Sequence, residues 1–147
     1  MKIYNIAIAA DHAGYEMKEF VAGYLLSLGH SVKDMGTYSS DPVDYPDFAH
    51  PLAVEIESSG SQLGFSFCGS GNGINITLNK HCGIRAALCW NPTIASLARS
   101  HNDANVCSLP ARFITENEAA AIVDAFLDTD FSGEERHVRR IRKITEF

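Results

Sequence analysis

Short apolar runs and helical periodicities alternate along this chain. The segment "KIYNIAIAA" (2–10) is rich in isoleucine and alanine and stops at Asp11, the pattern of a buried strand. Met17, Phe20, Val21, Tyr24, Leu25 and Leu28 then recur at the spacing of a helix with one buried face, and Gly29 closes it. "SVKDMG" (31–36) reads as a short second strand. A turn-rich loop with two prolines, "TYSSDPVDYP" (37–46), leads into a helix carrying Phe48, Leu52, Ala53 and Ile56. "QLGFSFCG" (62–69) predicts a third strand, and a helix starts within 72–80. "IRAALCW" (84–90) predicts a fourth strand, and Asn91-Pro92 opens the next helix through Ile94, Leu97 and Ala98. "NVCSLP" (105–110) is the fifth strand, with helices over 116–127 and 134–145 after it.

Five alternations of strand and helix imply βαβ units, hence a parallel sheet with helices on both faces. The expected fold is a three-layer α/β/α, Rossmann-like domain with five parallel strands, in a single domain over residues 1–147. In such a sheet ligands bind beyond the carboxyl ends of the strands. The residues at those ends are Asp11-His12, Gly36-Thr37, Cys68-Gly69, Trp90-Asn91 and Leu109-Pro110.

The run "LGFSFCGSGNGINI" (63–76) therefore places a thiol on the functional edge, where an apolar strand gives way to Gly69, Gly71 and Gly73. Glycines there let several N–H groups converge and, with a helix N-terminus, attract an anion. The named phosphate loops do not fit. A Walker loop ends in G-K-[ST], but this one ends Gly73-Ile74-Asn75. The dinucleotide fingerprint G-x-G-x-x-G fails because the last glycine falls one position early. What remains is a thiol beside N–H donors, able to stabilise an oxyanion while the thiolate removes a proton or attacks a carbon. The helix N-terminus would lower the cysteine pKa. The bland alternative is a buried cysteine before a structural turn.

Charge and composition narrow the field. A formal net charge of −6 argues against general nucleic-acid binding, and no run approaches the about 20 apolar residues of a membrane span. No signal peptide opens the chain, so a cytoplasmic location is expected. Cys68, Cys82, Cys89 and Cys107 match no zinc spacing and read as thiols, three of them packing residues. Among the six histidines, His30 is expected in a solvated turn, His50 on a helix with nothing to orient it, and His81 as a helix C-terminal cap. His12 follows Asp11 at a helix start, His101 lies in a polar break before the fifth strand, and His137 belongs to the tail. In that tail, "ERHVRRIRK" (135–143), Arg136 and Arg140 share a face. They are either a solvated helix face or, with Arg112, a phosphate grip.

The runs "ADHAG" (10–14), "DYPDFA" (44–49), "CGSGNGINITLNKHCGIRAALC" (68–89), "SHNDANV" (100–106) and "RHVRRI" (136–141) resemble the type B ribose-5-phosphate isomerases, over nearly the whole chain and in order. The wider family includes allose-6-phosphate and galactose-6-phosphate isomerases. The resemblance implies an aldose–ketose isomerase acting on D-ribose 5-phosphate and D-ribulose 5-phosphate through a cis-enediolate. A six-carbon sugar phosphate is the nearer alternative, and a non-catalytic sugar-phosphate-binding module the remoter one. It implies Cys68 as the base and the N–H groups of Gly69, Gly71, Asn72 and Gly73 as the oxyanion site. Ser70 would shuttle the hydroxyl proton, and Asp11 and His101 would open the sugar ring. Tyr45 and Asn102 would line the sugar; His12, Arg112, Arg136 and Arg140 would bind the phosphate, with His137 adjacent. Some members carry a glutamate where Ile74 stands and lack the cysteine, so the thiol version is implied here. No metal or organic cofactor is implied. The resemblance further implies a homodimer, with a tetramer as the alternative, in which the C-terminal helix and the His101 segment reach the partner's site.

Overall fold

A computed structural model describes residues 2–147. The strands are β1 (Asn5–Ala10), β2 (Ser31–Asp34), β3 (Leu63–Cys68), β4 (Ala86–Leu88) and β5 (Val106–Pro110). The helices are α1 (Tyr15–Ser27), α2 (Pro46–Glu57), α3 (Asn72–Leu78), α4 (Pro92–Asn102), α5 (Glu116–Asp128) and α6 (Glu135–Lys143). All strand pairs are parallel, in the order β2-β1-β3-β5-β4. The expected five-stranded three-layer fold is present.

The two-residue period of the strands divides the core. Ile6, Ile8, Ala10, Phe65 and Phe67 face the layer of α1, α4 and α5, where the Phe126 ring meets Phe65 edge-on at 5.5 Å. Ala7, Ala9, Cys68 and Val106 face α2 and α3, through Leu52, Ala53, Ile74 and Leu78. Small residues on this second face let α2 and α3 lie close to the sheet. Ser66 and Ser108, wholly buried on paired positions of β3 and β5, satisfy each other with a 2.8 Å hydrogen bond.

The fourth strand is shorter than expected. Only Ala86–Leu88 pair with β5, and Arg85 just before them holds the α4–β5 turn. Its backbone N–H bonds the Asn105 side chain, and its guanidinium bonds the carbonyls of Asn102 and Asp103.

Lys18 on α1 is wholly buried, which its helical periodicity does not reveal. Its ammonium bonds Asp34 at 2.6 Å and Glu19 at 2.8 Å. Burial alone would lower its pKa, but the hydrogen bonds to Asp34 and Glu19 outweigh it and raise it. Asp34 in turn accepts the Gly36 N–H, so this pair fixes the start of the loop after β2.

His30 is not solvated. The tight return from α1 into β2 leaves it 5% exposed, stacked on Tyr4 at 5.9 Å, with Nδ1 accepting the Tyr4 N–H. A proton on Nδ1 would break that bond. Burial moves the His30 pKa below its ordinary value of 6.5. From about 6.5 down to the folded value, the unfolded chain holds more protons than the folded one, so stability falls as pH falls through that window. Urea unfolding from pH 7.5 to pH 5 should show this decline, and His30→Gln should flatten it. An unchanged slope in His30→Gln would remove His30 as its source.

Candidate functional site

The chain runs β1 to β2 in one direction across the sheet and then crosses back to β3. The loops after β1 and β3 therefore leave for opposite faces, and a crevice opens between them at the carboxyl edge. Asp11 and Cys68 stand on either side of it. The Asp11 N–H bonds the Phe67 carbonyl at 3.2 Å, so the two strand ends are stitched together.

Cys68 ends β3 and is 5% exposed. After it, Gly71 takes φ +77° as the N-cap of α3, and a Cβ there would lie 2.5 Å from Leu88. Glycine alone meets both conditions. In the first turn of α3, the Asn72 N–H bonds Ser70 Oγ at 3.2 Å. The N–H groups of Gly73 and Ile74 have no acceptor among the described residues, as expected for a helix start. The Tyr45 ring covers Gly73, where an added Cβ would come within 2.6 Å of it.

The loop after β5 closes over the same place. The N–H groups of Ala111 and Arg112 bond the carbonyls of Cys68 and Gly69, each at 3.0 Å. The Arg112 side chain then passes over Gly69, on the side where Ala13 also approaches. Asp11 is buried, and its Oδ1 accepts the N–H groups of Ala13 and Gly14 at 2.9 and 3.1 Å. His12 Nδ1 bonds the Val43 backbone, 3.1 Å from its nitrogen and 3.2 Å from its carbonyl oxygen. The same bond ties the Tyr45 loop to β1. Asp11, His12, Tyr45, Cys68, Gly69, Ser70, Gly71, Asn72, Gly73 and Arg112 therefore gather at one edge. Together they offer a thiol, a carboxylate, free N–H donors and a cation.

The other four predicted residues lie elsewhere. Helix α4 starts at the carboxyl edge, where Asn91 Oδ1 caps it by accepting the Ile94 N–H at 2.9 Å. Its 11 residues carry the chain about 16 Å back, so His101 and Asn102 lie at the amino edge. Helix α5 makes the same journey, and α6 begins at that edge with Arg136 and Arg140 exposed. Here His137 is buried and stacks on the exposed His101 ring, centroids 4.2 Å apart. Its pKa is lowered by burial first and then by the charges of His101 and Arg136.

Two other histidines differ from expectation. His50 has a partner after all: its Nδ1 lies 2.7 Å from His81 Nε2, while His81 Nδ1 lies 3.1 Å from Glu57. His81 thus joins α2 to the segment after α3 rather than capping a helix. The pairings of His50 with His81 and His101 with His137 escaped sequence reasoning because each joins residues more than 30 apart. Among the described residues no cluster of His, Cys, Asp or Glu could hold a metal ion, and no helix is long and apolar enough to cross a membrane.

This geometry has close counterparts in known proteins. The family model described as Ribose/Galactose Isomerase matches residues 6–144. Ribose-5-phosphate isomerase B of Escherichia coli is 39% identical over 141 residues, 96% of this chain and 94% of that protein. A ribose 5-phosphate isomerase from Thermotoga maritima superposes with a TM-score of 0.96 at 52% identity, covering 98% of this chain and 99% of that one. The enzyme from Mycoplasma genitalium, solved with bound ribulose-5-phosphate, superposes at 0.91 with 41% identity, covering 99% and 96%. With the family model spanning nearly all of the chain and the fold matching throughout, this protein belongs to the ribose/galactose isomerase family.

Proposed function

We propose that this protein interconverts D-ribose 5-phosphate and D-ribulose 5-phosphate, and that it does so by proton transfer through a cis-enediolate. The observation that carries the mechanism is the Cys68 thiol set beside free backbone N–H donors at the β1–β3 crevice. Membership of the family and the ribulose-5-phosphate held by the Mycoplasma genitalium relative support the substrate.

From aldose to ketose, Asp11 and His101 open the furanose ring by moving a proton from the anomeric hydroxyl to the ring oxygen. The Cys68 thiolate then takes the proton from C2. The C–H electrons form the C1=C2 bond, and the carbonyl π electrons move onto O1. The N–H groups of the Gly69–Gly73 loop stabilise that charge. Ser70 assists transfer of the O2 hydroxyl proton to O1, and the Cys68 proton is delivered to C1, leaving the C2 ketone. All atoms and electrons balance within the sugar and these side chains, so the reaction needs no cofactor. His12 and Arg112 hold the phosphate from the same edge, and Tyr45 bounds the sugar.

His101, Asn102, Arg136 and Arg140 come from a second copy in this reading, since their own chain holds them at the far edge of its sheet. A homodimer with two shared sites is the simplest symmetric solution. Supporting it, the exposed aromatic residues Trp90 and Phe113 flank the carboxyl edge. A groove of ≈ 730 Å³ near Asn102, lined by Ile141, Ile144 and Phe147, offers apolar surface at the amino edge. All four cysteines are free, and a base that must stay a thiol suits the reducing cytoplasm, where we place the protein.

Cys68→Ala should lower kcat by about 10²–10⁴-fold while leaving the circular dichroism spectrum and phosphate binding intact. A near-normal rate would end the thiol-base role. The shared site has its own test. Cys68→Ala and His101→Ala chains, each inactive alone, should regain about a quarter of wild-type activity when unfolded together and refolded. Half the random dimers would be mixed, each with one intact site. No recovery from a folded mixture would place the site within one chain.

A further inference from the structure

The amino-edge half of the site contains a residue to which the proton transfers assign no task. His137 is 4% exposed, yet it bonds or stacks with three groups at once. Its ring lies on that of His101, with centroids 4.2 Å apart and planes inclined by 31°. Its Nε2 lies 3.3 Å from Arg136 Nε, and its Nδ1 lies 2.7 Å from Ser132 Oγ. A guanidinium can only donate, so Nε2 accepts and the ring proton sits on Nδ1, directed at Ser132. Ser132 is itself fixed: its Oγ accepts the Glu134 N–H, and its own N–H bonds the Ser100 carbonyl at the end of α4.

Arg136 gains an orientation from this. With Nε on His137 and one terminal nitrogen on Glu134 at 3.2 Å, its fork is held along one edge, and the remaining N–H groups stay available. His101, exposed at a helix end, has no side-chain hydrogen bond among the described residues and rests on the His137 ring.

We propose that His137 is a positioning residue that locks the imidazole of His101 and the guanidinium of Arg136 into one unit, so that ring opening and phosphate binding are presented together to the partner's crevice. The proposal rests on the isomerase reading. A neutral His137 is required, because a second ring proton would oppose Arg136 Nε–H with a donor. Burial and the neighbouring charges of His101, Arg136 and Arg140 disfavour that proton, and only Glu134 favours it.

Two substitutions separate the two contacts. His137→Phe keeps an aromatic surface under His101 and removes the acceptor for Arg136. His137→Ala removes both. For the intact protein, KM and kcat with ribose 5-phosphate and the Kd of inorganic phosphate by calorimetry are measured, alongside thermal unfolding. His137→Phe should weaken phosphate binding and raise KM by about three- to tenfold, with a smaller change in kcat. His137→Ala should add a loss in kcat of about tenfold or more. Equal losses in both variants that follow only the fraction of folded protein, or wild-type constants in His137→Ala, would overturn the proposal. Should His137→Ala not fold, Ser132→Ala keeps the stack and frees Nδ1. It should shift phosphate binding in the same direction as His137→Phe, and no shift in either would overturn the proposal. Phosphate binding needs no turnover, so a wild-type protein that binds phosphate but does not isomerise would count against the isomerase reading, not against this one.

Discussion

A parallel sheet imposes one constraint from which the arrangement of this protein follows. Each strand ends at the carboxyl edge, and each must be followed by an element that carries the chain back before the next can begin. Helix N-termini therefore collect at the carboxyl edge and helix C-termini at the amino edge. Cys68, Asp11 and the glycine loop sit at strand ends. His101 and Asn102 sit at a helix end, about one helix length away. No side chain spans that separation. In the isomerase reading, the chain therefore carries two half-sites that face away from each other, and a second copy is required to bring unlike halves together.

Within the carboxyl-edge half, most of the geometry comes from backbone hydrogen bonds. Asp11 bonds to β3, Ala111 and Arg112 bond to the carbonyls of Cys68 and Gly69, and Val43 is held by His12. These are contacts between loops that would otherwise move independently. The small residues Ala7 and Ala9, Gly64 and the Ser66–Ser108 pair let two helices approach the sheet beneath the thiol. The amino edge uses side chains instead: the buried His137 ring bonds Arg136 and packs against His101. The charge pattern agrees. The chain is acidic overall, yet α6 concentrates Arg136, Arg139, Arg140, Arg142 and Lys143, and in the isomerase reading Arg136 and Arg140 meet the partner's phosphate.

The strands and helices were legible in the sequence because each is specified by its own periodicity. All five strands and all six helices fall where the apolar rhythm puts them; the strands end shorter than the runs that specify them, β4 most of all, where Arg85 is drawn into contacts with the α4–β5 turn. Cys68, its glycines and Asp11-His12 were legible for a related reason: each is a contiguous motif at the end of a predicted strand. Chemistry that depends on distant partners was not legible. Lys18 meets Asp34, His30 meets Tyr4, His50 meets His81, and His101 meets His137 only after the chain has folded. The parts expected of Tyr45 and Asn102 came from family resemblance, which also chose the phosphate grip over a solvated face for the arginines. Tyr45 covering Gly73 and Arg112 passing over Gly69 are what give two of them a physical basis here.

The central claim, proton-transfer isomerisation, is tested most directly by following ribose 5-phosphate with the purified protein in deuterium oxide by proton and carbon NMR. The account predicts ribulose 5-phosphate carrying deuterium at C1 in part or all of the product, because the abstracted proton rests on an exchangeable thiol before it returns. Ketose formed with the C2 hydrogen wholly retained at C1 in every turnover would indicate a hydride shift and contradict the enediolate. No ketose from a folded protein that binds inorganic phosphate would contradict the isomerase assignment itself.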